Sequence, residues 1–178
     1  MPSIVSHPAV PLALTPLLAP ELRSPGMIFL GVACSVLPDL DVLGFRFGVP
    51  YRHVLGHRGW SHSIAFAVSL SASLAWLLPI AAQPSRAVGL MLFSFLCLST
   101  LSHGMLDALT NGGLGVAFFA PFNNRRHFFP WRPIRVSPIS MSAFLSAAGV
   151  RVLRSEVQWV WLPAVWVVGL LTLLRRSG

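Results

Sequence analysis

From Ile64 to Ala82 the chain runs nineteen residues, IAFAVSLSASLAWLLPIAA, without one charged side chain. A helix of that length rises about 28 Å, close to the roughly 30 Å hydrocarbon thickness of a bilayer. Inside lipid every backbone N–H and C=O must find its partner within the segment, so a run of this kind is satisfied as a membrane-crossing helix. Two further runs, 87–109 and 157–174, have the same character. Composition agrees: 54% of the residues are hydrophobic and 10% charged, with a mean hydropathy of +0.71. Soluble domains carry roughly 25% charged residues.

The first third reads differently. Pro8, Pro11, Pro16, Pro20 and Pro25 interrupt it, and only the apolar stretch 27–37 precedes PDLD. Proline removes an N–H donor and clashes with the preceding turn. A helical hairpin over 8–37, turning near 20–26 and embedded without a full crossing, is the expected form. The fold class is therefore all-α, a polytopic helical membrane protein of four to five helices in a single domain, 1–178. Spans are expected over 64–82, 87–109 and 157–174, and polar loops over 38–63 and 110–155. The N-terminal MPSIVSHPAV has no basic segment, so insertion is expected to rely on the internal helices. Cys34 and Cys97 stand singly in apolar runs and read as core residues.

The formal charge is +8, and all 13 basic residues are Arg. Arg in short loops beside apolar helices points to membrane lipid as a partner, and no nucleic-acid-binding motif accompanies it. Counting turns places the polar motifs at one leaflet. The hairpin returns His7 and the pair Asp39 and Asp41 to the same side. The next two helices bring His62 at the start of one beside His103 and Asp107 at the end of the other. That side carries nine Arg, at 46, 52, 58, 125, 126, 132, 135, 151 and 154. The opposite side carries four, at 23, 86, 175 and 176. The asymmetry favours a cytoplasmic motif face in a multi-pass protein of the cell's inner membrane.

All three Asp residues fall within PDLD and SHGMLDALTNGG. His103 and Asp107 are four apart, so on a helix they share one face about 5–6 Å apart, within reach of a single metal ion. GHRGWSH offers His57 and His62 around a Gly-containing turn. An acid at the end of a membrane helix caps poorly, because it meets the negative end of the helix dipole, and its desolvation is costly. Asp107 therefore reads as functional. Asp39 and Asp41 have a competing reading as turn and cap residues, His7 as a surface residue near the terminus, and His53 and His127 as polar loop residues. FFPWRP, 128–133, reads as an interfacial aromatic belt.

The order His7, LPDLD, HRGWSHS and LSHGMLDALTNGG, followed by FFAPFNNRRHFFPWRPIRVSPI, resembles the YdjM family of LexA-binding, inner-membrane-associated, metal-dependent hydrolases. The likeness covers about residues 7–140 and leaves the last helix outside. It implies a hydrolase, and a metal site drawn from His7, Asp39, Asp41, His57, His62, His103 and Asp107, with Arg58 beside them.

His and Asp donors suit zinc first, then manganese or iron, and such an ion lowers the pKa of bound water toward about 7. Seven candidate donors exceed the three or four of one zinc, so two ions, or one ion with outer Asp partners, both fit. Arg58, Arg125 and Arg126, with Asp107, form the candidate catalytic set. The guanidinium forks are expected to clamp a phosphate, which makes a phosphoester, including a lipid one, the expected substrate. The alternative is a membrane metal-binding or transport protein without catalysis. A metal-free His and Asp hydrogen-bond network is a third possibility.

Overall fold

The computed structural model describes residues 1–78, 85–138 and 140–176, with the backbone alone at 176. Helix α1 spans Ala9–Leu14, only six residues, and dissolves into short 3-10 turns at Thr15–Leu17 and Pro20–Leu22. Pro16 and Pro20 sit at the starts of those turns, where a missing N–H costs nothing. Helix α2 spans Pro25–Val36, capped by the Ser24 hydroxyl, which accepts from Met27 N. It continues as 3-10 turns over Leu37–Phe47, which Pro38 opens and the left-handed Gly48 ends. Where a hairpin over 8–37 without a full crossing was expected, α1 packs on α2, but α2 and its 3-10 extension run on to Phe47, long and apolar enough to cross, because Pro38 opens a turn rather than ending the helical path.

Helix α3 spans Ile64–Leu77, capped by Ser63 on Phe66 N, and α4 spans Arg86–Ala108. Residues 79–82 of the expected third-helix span lie outside the described residues. The short α5 spans Met141–Phe144 and α6 spans Ala147–Glu156. A π-helical turn at Val157–Trp161 leads into α7, Leu162–Arg176. Residues 141–144 and 147–155, expected within the loop 110–155, are therefore helical, started by the hydroxyl caps of Ser140 and Ser146.

Among the described residues three helical segments are long and apolar enough to cross a membrane, namely Pro25–Phe47, Arg86–Ala108 and Ala147–Arg175. The polytopic helical class stands, but the expected count of four to five drops to three. The prolines hold α1 to less than two turns, and α3 has only 14 described residues.

The 23-residue α4 is the central element, packed against α2 on one side and α3 on the other. Away from the motifs, Leu18, Leu22, Met27, Cys34, Leu92, Phe95 and Leu96 form the core. Both cysteines are free and buried, as expected. Trp76 and Trp166 are 83% and 77% exposed, which suits side chains that meet lipid rather than water. Among the described residues there is no β-strand. The loop after α4 folds back through two isolated bridges, Thr110 to Ile134 and Val116 to His127, and covers the end of the bundle.

Candidate metal centre

Three elements deliver four donors to a point at the motif end of α4. The 3-10 extension of α2 brings Asp39, and the Trp60–His62 turn brings His62. The last two turns of α4 bring His103 and Asp107. One ligand atom from each of these four lies within 4.8 Å of all the others. His62 Nε2 is 3.0 Å from His103 Nε2 and 3.3 Å from Asp107 Oδ2, and His103 Nε2 is 3.2 Å from Asp39 Oδ1. His7 joins from the segment before α1, its ring stacked on His103 at 3.7 Å and its Nε2 3.9 Å from Asp39 Oδ2. The Met1 amino group lies 3.7 Å from Asp107 Oδ1.

Whether these residues fit a metal ion is decided by their hydrogen bonds. His103 Nδ1 donates to the Ser35 carbonyl at 2.7 Å, which turns Nε2 toward the cluster. His62 Nδ1 faces Asp41 Oδ2 at 3.1 Å, which aims its Nε2 at the same point. Two imidazole Nε2 atoms facing each other at 3.0 Å are held together by a proton or a cation between them. Both oxygens of Asp39, both of Asp107 and both nitrogens of His7 are buried without a hydrogen bond, although several stand at ion-pair distance. Buried polar atoms are normally satisfied, and carboxylate oxygens and imidazole nitrogens left without hydrogen bonds around one point are what a cation would satisfy. The set fits a divalent ion.

Asp41 is different. Its Oδ1 pairs with His57 Nδ1 at 2.6 Å, and its Oδ2 accepts from Arg58 N at 3.0 Å and Ser61 Oγ at 2.8 Å. A carboxylate with every acceptor filled is suited to orient His62, a candidate ligand, rather than to bind an ion itself. Asp41, His57 and His62 also meet ligand spacing as a second group, but their polar atoms are already bonded to one another. The structure thus gathers all seven expected residues and divides them. Asp39, His62, His103 and Asp107, with His7, form the inner layer, and Asp41 and His57 the outer.

Burial pushes the His7 imidazole down to about 3, and neighbouring His103 adds to the effect, so His7 is neutral, with one ring nitrogen able to offer a lone pair. For His62 burial alone lowers the pKa, but the Asp107 and Asp41 carboxylates outweigh it and raise it to about 9. In the metal-free chain His62 therefore carries a proton that a metal ion must displace.

The arginines part from the phosphate-clamp expectation. Arg58 is fully buried with its backbone at φ 61, in the left-handed region. Its Nε lies 2.9 Å from Asp107 Oδ2, while its terminal nitrogens donate to Gly112 O and Thr110 Oγ1, both at 3.0 Å. Gly113, at φ 88, makes room for this: a Cβ there would lie 2.7 Å from the Arg58 guanidinium. Arg126 donates to the carbonyls of Tyr51 at 2.8 Å and His57 at 2.9 Å, tying the two motif loops together. Both forks are closed by protein acceptors. Arg125 is exposed and lies outside the cluster. The expectation also missed Thr110, whose hydroxyl accepts from Arg58 and donates to Asp107 O at 2.7 Å, and Ser61. Both sit inside the quoted motifs, and hydroxyls beside the acids were the available signal.

The profile of a family described as YdjM inner membrane protein matches residues 1–177, so the last helix, which the motif resemblance left outside, lies within the match. The chain is 39% identical over 176 residues to the inner membrane protein YbcI of Escherichia coli (strain K12), covering 99% of this chain and 100% of that relative. No solved structure matches. The chain belongs to the YdjM family of inner membrane proteins.

Proposed function

We propose that the chain is a membrane-embedded, metal-dependent hydrolase whose centre sits at one leaflet and acts on a phosphoester, with lipid phosphoesters the favoured class. The observation that carries the reading is the convergence of buried ligand atoms from Asp39, His62, His103 and Asp107, with the side-chain oxygens of Asp39 and Asp107 and the ring nitrogens of neighbouring His7 lacking a hydrogen bond. A divalent ion held there, zinc by the chemistry of the donors, would supply a bound water of pKa near about 7.

The chain's own residues prepare that site. Asp41 holds the His62 ring by Nδ1, and the Ser35 carbonyl does the same for His103. Arg58 neutralises Asp107 and keeps one of its oxygens turned toward His62. Arg46, Arg52 and Arg125 remain exposed on the loops around the motif end and supply the cationic rim that an anionic headgroup would meet. The phosphoester class rests on that rim, since Arg58 and Arg126 are committed elsewhere.

One observation favours a second reading. All inner-layer donors are buried, Asp39 being the most open at 6% exposed, and a centre closed on all sides suits a metal-binding protein without catalysis. One experiment separates the two. Protein purified without chelator is analysed for metal, then offered phospholipids, polyprenyl phosphates and generic phosphodiesters, with Asp107→Asn in parallel. Stoichiometric metal with turnover that Asp107→Asn abolishes supports the hydrolase. Stoichiometric metal without turnover on any phosphoester supports the second reading, and absence of metal sinks both.

A further inference from the structure

Glu156 is buried, 1% exposed, where α6 passes into the π-helical turn, and no cation pairs with it among the described contacts. Its partners come from the other end of the chain. Oε1 accepts the backbone N–H of Ser3, and Oε2 accepts the hydroxyls of Ser3 at 2.6 Å and Ser6 at 2.8 Å. Ionised carboxylates only accept, so three donors arranged around one fix the segment's position and direction.

The residue after Ser6 is His7. No hydrogen bond reaches either of its ring nitrogens, and Pro8, at the start of α1, provides no side-chain cap. The place of the ring beside His103 and Asp39 is therefore set by backbone on its two sides. On one side α1 packs on α2 and α4, with Pro11 against Gly31 near Phe95. On the other, Glu156 grips Ser3 and Ser6. A π-helical turn widens the helix by one residue and frequently marks a functional site. Here it begins directly after the gripping carboxylate.

We infer that Glu156 is a positioning residue of the metal centre, which by holding Ser3 and Ser6 sets His7 as an additional ligand beside Asp39, His62, His103 and Asp107. The inference rests on the metal reading proposed above. It assigns to the C-terminal end of α6, far from the motifs in sequence, a part in the site.

The test uses full-length protein in detergent with Co²⁺ alone as the probe, because its visible absorption reports ligand number and type. His7→Ala is expected to change that spectrum and weaken Co²⁺ binding. Glu156→Gln, which places an NH₂ group among three donors, is expected to reproduce the same spectral change and weaken binding by about 10- to 100-fold, the range for outer partners of metal ligands. The double variant is expected to bind no more weakly than His7→Ala alone. A wild-type spectrum and affinity in Glu156→Gln, or additive losses in the double variant, overturns the inference while leaving the metal centre standing. If Glu156→Gln does not fold, Ser6→Ala removes one bond of the three and is judged by the same criteria, with a smaller shift expected. A wild-type chain that takes up no Co²⁺ overturns the metal reading and this inference with it.

Discussion

Asp39 and Asp41 stand two residues apart in PDLD, yet one faces the centre with both oxygens unsatisfied and the other is filled by three neighbours and a histidine. A 3-10 turn has three residues per turn, so residues two apart point in different directions. Asp39→Asn is therefore expected to abolish stoichiometric metal, whereas Asp41→Asn should keep the stoichiometry and weaken zinc by about 10- to 100-fold. Competition against a chelator of known affinity reads both, and equal losses would refute the division. The three Asp residues and four of the histidines were legible as a set, since they are packed into few motifs of an otherwise uncharged chain. Their division into ligand and orienting partner was not, because it depends on the turn geometry after Pro38. His62 adds a pH signature. Its folded pKa of about 9 exceeds its ordinary 6.5, so in the metal-free chain its ionic contacts contribute fully below about 6.5 and are lost as pH rises through about 9. Chelator-treated protein should lose thermal stability over that window, and metal-loaded protein should not, because its metal affinity rises as the competing proton leaves. Parallel melts between pH 6.5 and 9 check this, and a metal-free midpoint that rises would contradict it.

At the scale of elements, α4 and the Trp60–His62 turn must approach until their backbones nearly touch. Gly104 permits it: a Cβ there would lie 2.9 Å from the His62 carbonyl oxygen, a backbone atom that cannot swing aside. Gly104→Ala is expected to push the turn outward, carry His62 away from His103 and weaken metal binding by about tenfold or more. Gly89→Ala on the same helix, where a Cβ meets open space, should leave metal affinity unchanged and raise stability by about 0.5–1 kcal/mol through helix propensity. Equal effects at the two glycines would show that propensity rather than contact governs position 104. The long apolar helices were legible from uncharged runs alone, and the 87–109 expectation differs from Arg86–Ala108 by one residue at each end. The helical character of Ala147–Glu156 was not legible, because its polar and charged residues read as loop and its helix depends on the Ser146 cap and on packing beneath the loop after α4. The grip of Glu156 on Ser3 and Ser6 was equally hidden, since nothing local in a sequence reports a contact between residues 150 positions apart.

For the whole molecule, the candidate metal centre lies at one end of the bundle, and the distribution of arginines gives an expectation for the side of the membrane that end faces. Arg46, Arg52, Arg125, Arg132, Arg135, Arg151 and Arg154 are all exposed around the motif end, while Arg23 and Arg86 mark the other. Arg is retained on the cytoplasmic side during insertion, so the motif end is expected to face the cytoplasm, and a substrate would reach the centre from the inner leaflet. Single cysteines test this directly. Cys34 and Cys97 are buried and can be replaced by Ala or Ser, leaving a background in which Arg125→Cys and Arg23→Cys each present one exposed thiol at opposite ends of the bundle. A membrane-impermeant thiol reagent applied to spheroplasts should label Arg23→Cys at once and Arg125→Cys only after lysis. Neither arginine touches the centre, so metal content should stay at the wild-type level in both variants and confirm that the labelled protein is folded. Labelling of Arg125→Cys in intact spheroplasts, with Arg23→Cys protected, would place the centre on the outer side and would move its substrate to the outer leaflet.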